Sequence, residues 1–515
     1  MLFLQILFWV CLFIVFYAYV GYGFLIAFLV AIKKLFTPKK QAAQNFQPTV
    51  ALIIAAYNEE DFILHKIQNT KELDYPADKL HVIFITDGST DKTPELVRAN
   101  SNFELLHSPE RKGKAFAMNR AVQFAKADIL VFSDANTLLN KECVSELVKH
   151  YASPKVGGVA GEKKIIKQID DKASAAGEGL YWKYESALKR LDSSLNTIVG
   201  AAGELFSVRR ELYEPVMEGT IIEDFVLSLR ICMKGYLFKY EPKAFAIETA
   251  SSSMKEEQKR KVRICAGGFQ AMQMLKDLLN IFKYRLLSFQ YISHRVLRWA
   301  VCPLCLVIMF FANLLIVILS PLLLYKVIMV AQIVFYTLSF IGWQFANRNI
   351  KIKSLYVPYY FVFMNAAAFM GFNRFLKGNQ SVIWEKAGRQ KLSCRLNELN
   401  ELNGLNKLNF YVRKLCSNFR HSVYSVYSVH SIIAHSSIPR IFFASSIILG
   451  SPVYFPFSSD SFTVGSHSIF SGFASINFMT IFIGLTPTSL VRLVPMPKEM
   501  PILPWQYFAI TATFS

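Results

Sequence analysis

An α/β domain with a mostly parallel sheet, flanked on both sides by transmembrane helices, is the fold predicted by this 515-residue sequence. Three observations carry that reading. Short β-branched runs alternate with helical spacing from Val50 to Phe132, no residue from Met1 to Ile32 is charged, and the chain turns apolar again after Leu297. A hydrophobic content of 53% and a mean hydropathy of +0.30 place part of the chain in lipid.

The opening run is long enough at about 1.5 Å per residue to cross a bilayer. It is followed by Lys33, Lys34, Lys39 and Lys40 rather than by a small-residue cleavage site, so it is read as a retained anchor with the following residues in the cytoplasm. A polar linker, Thr37 to Pro48, leads to VALIIA (Val50 to Ala55), which ends at AYNEED and is followed by helical spacing through Leu73. HVIFIT (His81 to Thr86) closes on DGSTDKT, with a helix expected over Pro94 to Ala99. Phe103 to Leu106 is a weaker third strand, RKGKAFAMNRAVQFAKA a helix, and Ile129 to Phe132 the fourth strand. Such alternation implies right-handed βαβ units and a parallel sheet covered on both faces. It also sets Asn58, Glu59, Asp87 and Asp134 just past strand ends, at the sheet edge where open α/β folds bind ligands.

Beyond Leu297, Val301 to Leu319 and Pro321 to Phe345 read as spans. Arg348, Lys351 and Lys353 mark a cytoplasmic loop before a third segment, Tyr356 to Phe372, which carries Pro358 and Asn365 and is read as a span or a re-entrant element. Phe282 to Trp299 mixes Lys, Arg and His with Leu, Tyr and Trp and suits a helix at the membrane surface.

The formal charge of +20 is explained by cytoplasmic loops facing anionic lipid; no nucleic-acid motif accompanies it, and no nucleic-acid partner is expected. Eight scattered cysteines include one C-x-x-C, Cys302 and Cys305, with no second pair nearby to complete a zinc site, so they are read as apolar thiols. Leu-Asn recurs every three residues from Leu396 to Asn409, and Asp460 is the sole acidic residue between His421 and Lys498. That stretch is compositionally foreign to the rest and reads as readthrough, a frameshift or a repeat expansion, against an extra membrane or interaction tail.

Taken in order, AYNEE, TDGSTD, SDAN, IIED and RKVRI resemble the motif series of family 2 glycosyltransferases with a GT-A fold, and the layout is similar to membrane synthases of hyaluronan, cellulose and poly-N-acetylglucosamine. The resemblance covers Leu2 to Gln390 and implies a Rossmann-like GT-A domain. The expected organisation is an anchor over 1–32, a linker over 33–48, a glycosyltransferase domain over 49–281, an interfacial helix over 282–299, and transmembrane helices over 300–373. A Trp-containing cytoplasmic segment over 374–391, with Trp384 and Lys386 in a gating-type motif, and the atypical tail over 392–515 complete it.

By that resemblance, Ala56, Tyr57 and Glu59 border the base and ribose of a UDP-sugar, and Asp87 binds its uracil; a turn followed by helix caps is the bland reading of DGSTD, and both can hold together. Asp134 and Asn136 stand in the family's DxD element, where the first contacts nucleotide and the last coordinates Mg²⁺ or Mn²⁺. Asn136 offers a carbonyl oxygen without charge, and an Asx turn is the bland alternative. Lys114, in KGK, is set toward phosphate or simply at a basic helix start. Asp224 is placed as the catalytic base, with Glu223 beside the acceptor; both also suit a helix N-terminus. Arg263 is placed to bind the diphosphate, whereas Ile264 replaces the Trp that floors the acceptor site in processive synthases. Gly203 and Trp182 are the acceptor-side candidates, each with a packing alternative.

The implied activity is inverting transfer from a UDP-sugar to a polysaccharide or lipid-linked acceptor, by a multi-pass inner-membrane protein with a cytoplasmic catalytic domain and membrane lipids as partners. A non-processive transferase to a lipid carrier and a catalytically silent nucleotide-sugar-binding scaffold are the alternatives. A transporter ranks last, because Val301 to Leu319 contains no ionisable residue.

Overall fold

A computed structural model describes residues 1–36, 46–166, 173–249, 251, 253–348, 350 and 352–378. The expectations for the linker's middle, for Trp384 and Lys386, and for the tail lie outside them. The described chain runs α1 (Leu2–Phe36), β1 (Val50–Ala56), α2 (Ile63–Lys71), β2 (Leu80–Asp87), α3 (Thr93–Asn100), β3 (Glu104–Ser108), α4 (Lys114–Phe124) and β4 (Ile129–Asp134). There follow β5 (Leu138–Leu139), α5 (Cys143–Val148), β6 (Val156–Ile166), α6 (Ala173–Leu195), β7 (Leu205–Arg209), α7 (Glu223–Met233) and β8 (Leu237–Thr249). The chain then enters α8 (Met254–Met274), α9 (Leu286–Leu319), α10 (Leu323–Asn347) and α11 (Lys353–Leu376).

Eight strands form one sheet in the order β3-β2-β1-β4-β7-β6-β8-β5. The first four pair in parallel, as the β/α alternation requires. β7 then inserts antiparallel between β4 and β6, and β5 pairs antiparallel with β8, so the sheet is mixed beyond β4. Every residue of β1 is buried, the mark of a strand covered on both faces. Its side chains alternate between two cores: Ile53 and Ala55 pack with Ile83, Phe132, Phe206 and α4, while Leu52 and Ile54 pack with Phe84, α2 and α5. Since β2 and β4 lie on opposite sides of β1, the crevice between the ends of β1 and β4 is the topological switch point. Asp87 and Asp134 are the last residues of β2 and β4, inside the strands rather than just past them.

Four helices among the described residues are long and apolar enough to cross a membrane: Leu2–Phe36, Leu286–Leu319, Leu323–Asn347 and Ser354–Leu376. The surface helix expected over Phe282 to Trp299 is largely the first part of α9, continuous with the apolar stretch that follows. Its polar residues are buried against the sheet domain. His294 contacts Asp192 through Nδ1 at 2.6 Å and Glu185 through Nε2 at 3.2 Å, Arg295 and Arg298 reach Glu185 at 2.5 and 3.3 Å, and Tyr22 of α1 donates to Asp192 at 2.5 Å. These groups sit in or beside π-helical segments at Tyr17–Gly21 and Ile292–Val301, whose widened turns mark strained, functional stretches in other helices. Glu185 and Asp192 thus fasten α6 to α9 through four contacts to the buried His–Arg set, and Asp192 ties it to α1 through Tyr22.

The third apolar segment is one uninterrupted helix, α11, with Pro358 inside it, rather than a broken re-entrant element. It crosses α10 at Gly342, where a Cβ would meet the Leu355 carbonyl at 2.5 Å. From there it follows α8, with Tyr356 beside Met254 at one end and Phe372 and Phe375 on Phe269 at the other. Gly371 permits this approach, since a Cβ there would lie 2.5 Å from Cys265.

Gly200 has φ +90°, and an added Cβ would fall 2.0 Å from the Phe225 ring. Gly200→Ala is expected to cost about 1–3 kcal/mol through overpacking and backbone strain, read as a drop of several degrees in thermal unfolding; an unchanged midpoint would contradict the packing of α7 against this turn.

Candidate active site

Each strand end at the switch point is fixed by a different local device. After β2, Gly88 takes φ +66° and its amide donates to the Ser108 carbonyl at 2.9 Å. The Asp87 carboxylate accepts from the Lys112 and Gly113 amides at 3.0 and 2.6 Å, which draws the KGK loop over the sheet edge. The Arg111 guanidinium stacks on the Tyr57 ring at 3.5 Å. Tyr57, Ala56, Asp87 and Lys114 thereby line one narrow cleft. Glu59 is buried, its amide bonded to the Thr93 hydroxyl at 2.8 Å, and its side chain borders the main cavity.

The SDAN turn is held from beneath by Lys66, a fully buried ammonium that donates to Ser133 Oγ at 2.8 Å and to the Thr137 carbonyl at 2.9 Å. Burial brings its pKa down to about 7. Sequence reading passed over Lys66, because a lysine in a helix with polar neighbours looks solvated.

On the other side, Lys114 opens α4 and reaches Asp134 Oδ1 at 2.6 Å and Glu223 Oε1 at 3.2 Å. Burial disfavours its charge, but Asp134, Glu223 and Asp224 together hold its pKa above the ordinary lysine value. Asp224 lies in the first turn of α7. Burial, reinforced by Glu223, pushes its carboxyl up to about 7 against the pull of Lys114. Gly203 abuts the same group: a Cβ there would come 2.9 Å from Lys114 Nζ and 3.5 Å from Asp224 Oδ2. The absent side chain makes room for Lys114 and Asp224 themselves.

Asn136 supplies an unsatisfied donor atom. Its Oδ1 is buried without a hydrogen-bond partner among the described residues, two positions from Asp134. A buried carbonyl oxygen left unpaired beside a carboxylate fits a hard divalent cation, which takes oxygen ligands. No group of three His, Cys, Asp or Glu among the described residues forms such a site alone, so phosphate oxygens or water would complete the coordination.

One cavity of about 970 Å³ joins Asp134, Asn136, Gly203, Glu223 and Asp224 to Trp182 of α6 and Arg263 of α8. Arg263 makes no hydrogen bond or ion pair with any described residue, and burial lowers its pKa. Arg260, three residues before Arg263, is bound to the buried Glu257 at 3.0 Å. Ile264 lines the cavity in the place of the missing Trp, and Trp182 borders it with its indole Nε1 buried and unpartnered. All twelve candidates thus lie at two adjoining clefts: Ala56, Tyr57 and Asp87 at the narrow one, Lys114 at both, and the rest around the large cavity.

Residues 51–216 match the sequence model of Glycosyl transferase family 2. The chain is 27% identical over 245 residues to poly-beta-1,6-N-acetyl-D-glucosamine synthase of Staphylococcus aureus (strain MSSA476), covering 45% of this chain and 57% of the relative. The same synthase from Staphylococcus epidermidis is 25% identical over 249 residues, 46% of this chain and 58% of that protein. The match therefore spans little more than half the length of these curated relatives. Among solved structures, mannosyltransferase PcManGT from Pyrobaculum calidifontis, in complex with GDP-Man and Mn²⁺, aligns with a TM-score of 0.56 at 22% identity, over 73% of this chain and 99% of that one.

For a carboxyl whose folded pKa is raised from 3.8 to about 7, the folded state holds the proton more tightly. The stability that this supplies is fully present below the lower value and is lost as pH rises through the upper one. Asp224→Asn is therefore expected to raise the thermal midpoint at about pH 8 and to leave it nearly unchanged near pH 4; a variant destabilised at both would contradict a carboxyl whose ionisation the fold disfavours.

Proposed function

From a family 2 glycosyltransferase domain of GT-A fold, we propose that this chain transfers a sugar from a UDP-sugar to a hydroxyl of a polysaccharide or lipid-linked acceptor at a membrane, with inversion at the anomeric carbon. The observation that carries the proposal is the half-buried Asp224, raised to about 7, in a cavity shared with Asp134 and Asn136 at the switch point. An acid tuned near neutrality is a base well matched to a hydroxyl proton at physiological pH.

In this mechanism Asp224 takes the proton of the acceptor hydroxyl as its oxygen attacks the anomeric carbon. The bond from that carbon to the diphosphate oxygen breaks on the opposite face, and UDP leaves with the electron pair. Lys114 sets the spacing between Asp134 and the α7 start, and Arg263 offers its guanidinium to the departing diphosphate. Tyr57 and Asp87 border the base, with Ala56 allowing close approach, and Glu59 lies on the ribose side. Asp134 and Asn136 would hold Mg²⁺ or Mn²⁺, which when bound neutralises diphosphate charge. The poly-N-acetylglucosamine synthase relatives favour an N-acetylhexosamine donor. Trp182 is assigned to the acceptor side, and Ile264 argues for short products because the stacking ring of processive synthases is absent there.

The same reading assigns the sheet domain to the cytoplasm, with α1, α9 and α10 crossing the membrane. α11 keeps both ends against α8, a helix of the sheet domain, and is therefore assigned to the inner membrane surface, over the cavity it lines with Tyr360, Phe361 and Met364. This gives an even number of crossings after the sheet domain.

Full-length protein in lipid nanodiscs, given a panel of labelled UDP-sugars, is expected to consume a UDP-N-acetylhexosamine in the presence of a divalent cation and to lose all transfer in Asp134→Ala. Consumption of none of the donors, or an Asp134→Ala protein as active as wild type, would overturn the proposal. Reporter fusions at Lys377 are expected to report the cytoplasmic side; an external signal would mean that α11 crosses.

A further inference from the structure

Among the described residues, four cations that line the large cavity make no ion pair: Lys255, Arg374, Arg263 and Lys189. Arg263 is already assigned to the diphosphate, and Lys255 is exposed and Arg374 half-exposed. The buried one is Lys189 of α6, 4% exposed, which makes no hydrogen bond or ion pair with any described residue. Its one close partner is the Trp182 ring, whose centroid lies 5.7 Å from Nζ. Trp182 and Lys189 are seven residues apart and so share a face of α6. Between them, Glu185 turns its carboxylate to His294, Arg295 and Arg298 instead. Of the two other acidic groups near Lys189, Glu204 is paired with Lys163 and Asp224 is the carboxyl assigned as the base. The Trp182 Nε1 proton donor is likewise buried and unused. Burial lowers the Lys189 pKa, outweighing the opposing pull of Glu185, Glu204 and Asp224, none of which forms an ion pair with it.

An unpaired buried ammonium beside an unpaired indole N–H is costly unless a ligand satisfies both. Resting on the transferase reading above, we propose that Lys189 and Trp182 form an anion subsite that takes the phosphate of the acceptor, and that this acceptor is a saccharide joined to a lipid phosphate. The acceptor hydroxyl lies toward Asp224. The cavity continues from the subsite to Tyr19 of α1 and to Phe361, Met364 and Ala368 of α11, an apolar wall reaching the membrane helices. Cation, proton donor and apolar wall in one cavity match the headgroup and the first isoprene units of a polyprenyl phosphate. A neutral or amine-bearing glycan gives Lys189 nothing to pair with, and an amine is repelled by it.

The test is native mass spectrometry of the full chain in detergent with three probes: a polyprenyl phosphate, the polyprenol of equal length, and inorganic phosphate, with UDP binding followed in the same samples. The expected result is a preference for the polyprenyl phosphate over either other probe of about tenfold or more, the size that one charge-assisted contact supplies. Lys189→Arg should keep that preference and Lys189→Met should lose most of it. Equal binding of polyprenol by the wild type, or an undiminished preference in Lys189→Met, would overturn the subsite. Inorganic phosphate bound as tightly as the lipid would overturn the lipid source. Should Lys189→Met not be recovered folded, the wild-type selectivity among the three probes decides. Wild-type protein that fails to bind UDP contradicts the donor-site reading instead, so the two failures are distinguishable.

Discussion

One ammonium organises the centre of this molecule. Lys114 leaves the first turn of α4, bridges the end of β4 at Asp134 and the start of α7 at Glu223, and lies against the bare backbone of Gly203. Three elements distant in sequence are held at one point by that contact. With Lys114 neutralising its neighbours, Asp224 is left as the carboxyl that burial and Glu223 drive toward neutrality. The position of the base, its proton affinity and the opening between it and the SDAN turn all follow from where this side chain sits.

Around that point the structure uses buried polar groups as braces. Lys66 holds the SDAN turn through Ser133 and Thr137. Asp87 gathers the amides of the KGK loop and so sets the start of α4. Asp192 and Glu185 bind α6 to His294, Arg295 and Arg298 of α9, and the terminal amine of Lys33 on α1 donates to the Ser194 carbonyl at 3.0 Å. The sheet domain and the apolar helices thus share one polar seam, and the large cavity opens along it.

Much of this was legible in the sequence. The continuous apolar strand runs and the β/α alternation from Val50 to Asp134 follow from hydrophobic pattern and turn residues, which act locally. The motif residues converge because strand ends in a parallel sheet share an edge. What was not legible depends on tertiary choices. β7 carries a pattern compatible with either pairing direction, and its antiparallel insertion is set by packing of Phe206 on Phe132, 4.9 Å apart. Apolar length alone marks α11 as a span, whereas its seat along α8 depends on Gly371 and its crossing of α10 on Gly342, small residues whose meaning appears only when the facing helix is in place. Gly203, expected to admit an acceptor sugar, faces Lys114 and Asp224. Lys66 and Lys189 gave no signal, since a lysine's partners, or their absence, cannot be read along the chain.

The central claim is that a single half-buried carboxyl, Asp224, serves as the base. The pH dependence of kcat/KM for sugar transfer tests it most directly. With a base of pKa about 7, the rate should rise about tenfold per pH unit below that value and level off above it. A profile flat from about pH 5 to 8 would contradict the account, because a carboxyl at its ordinary value would already be fully ionised across that range.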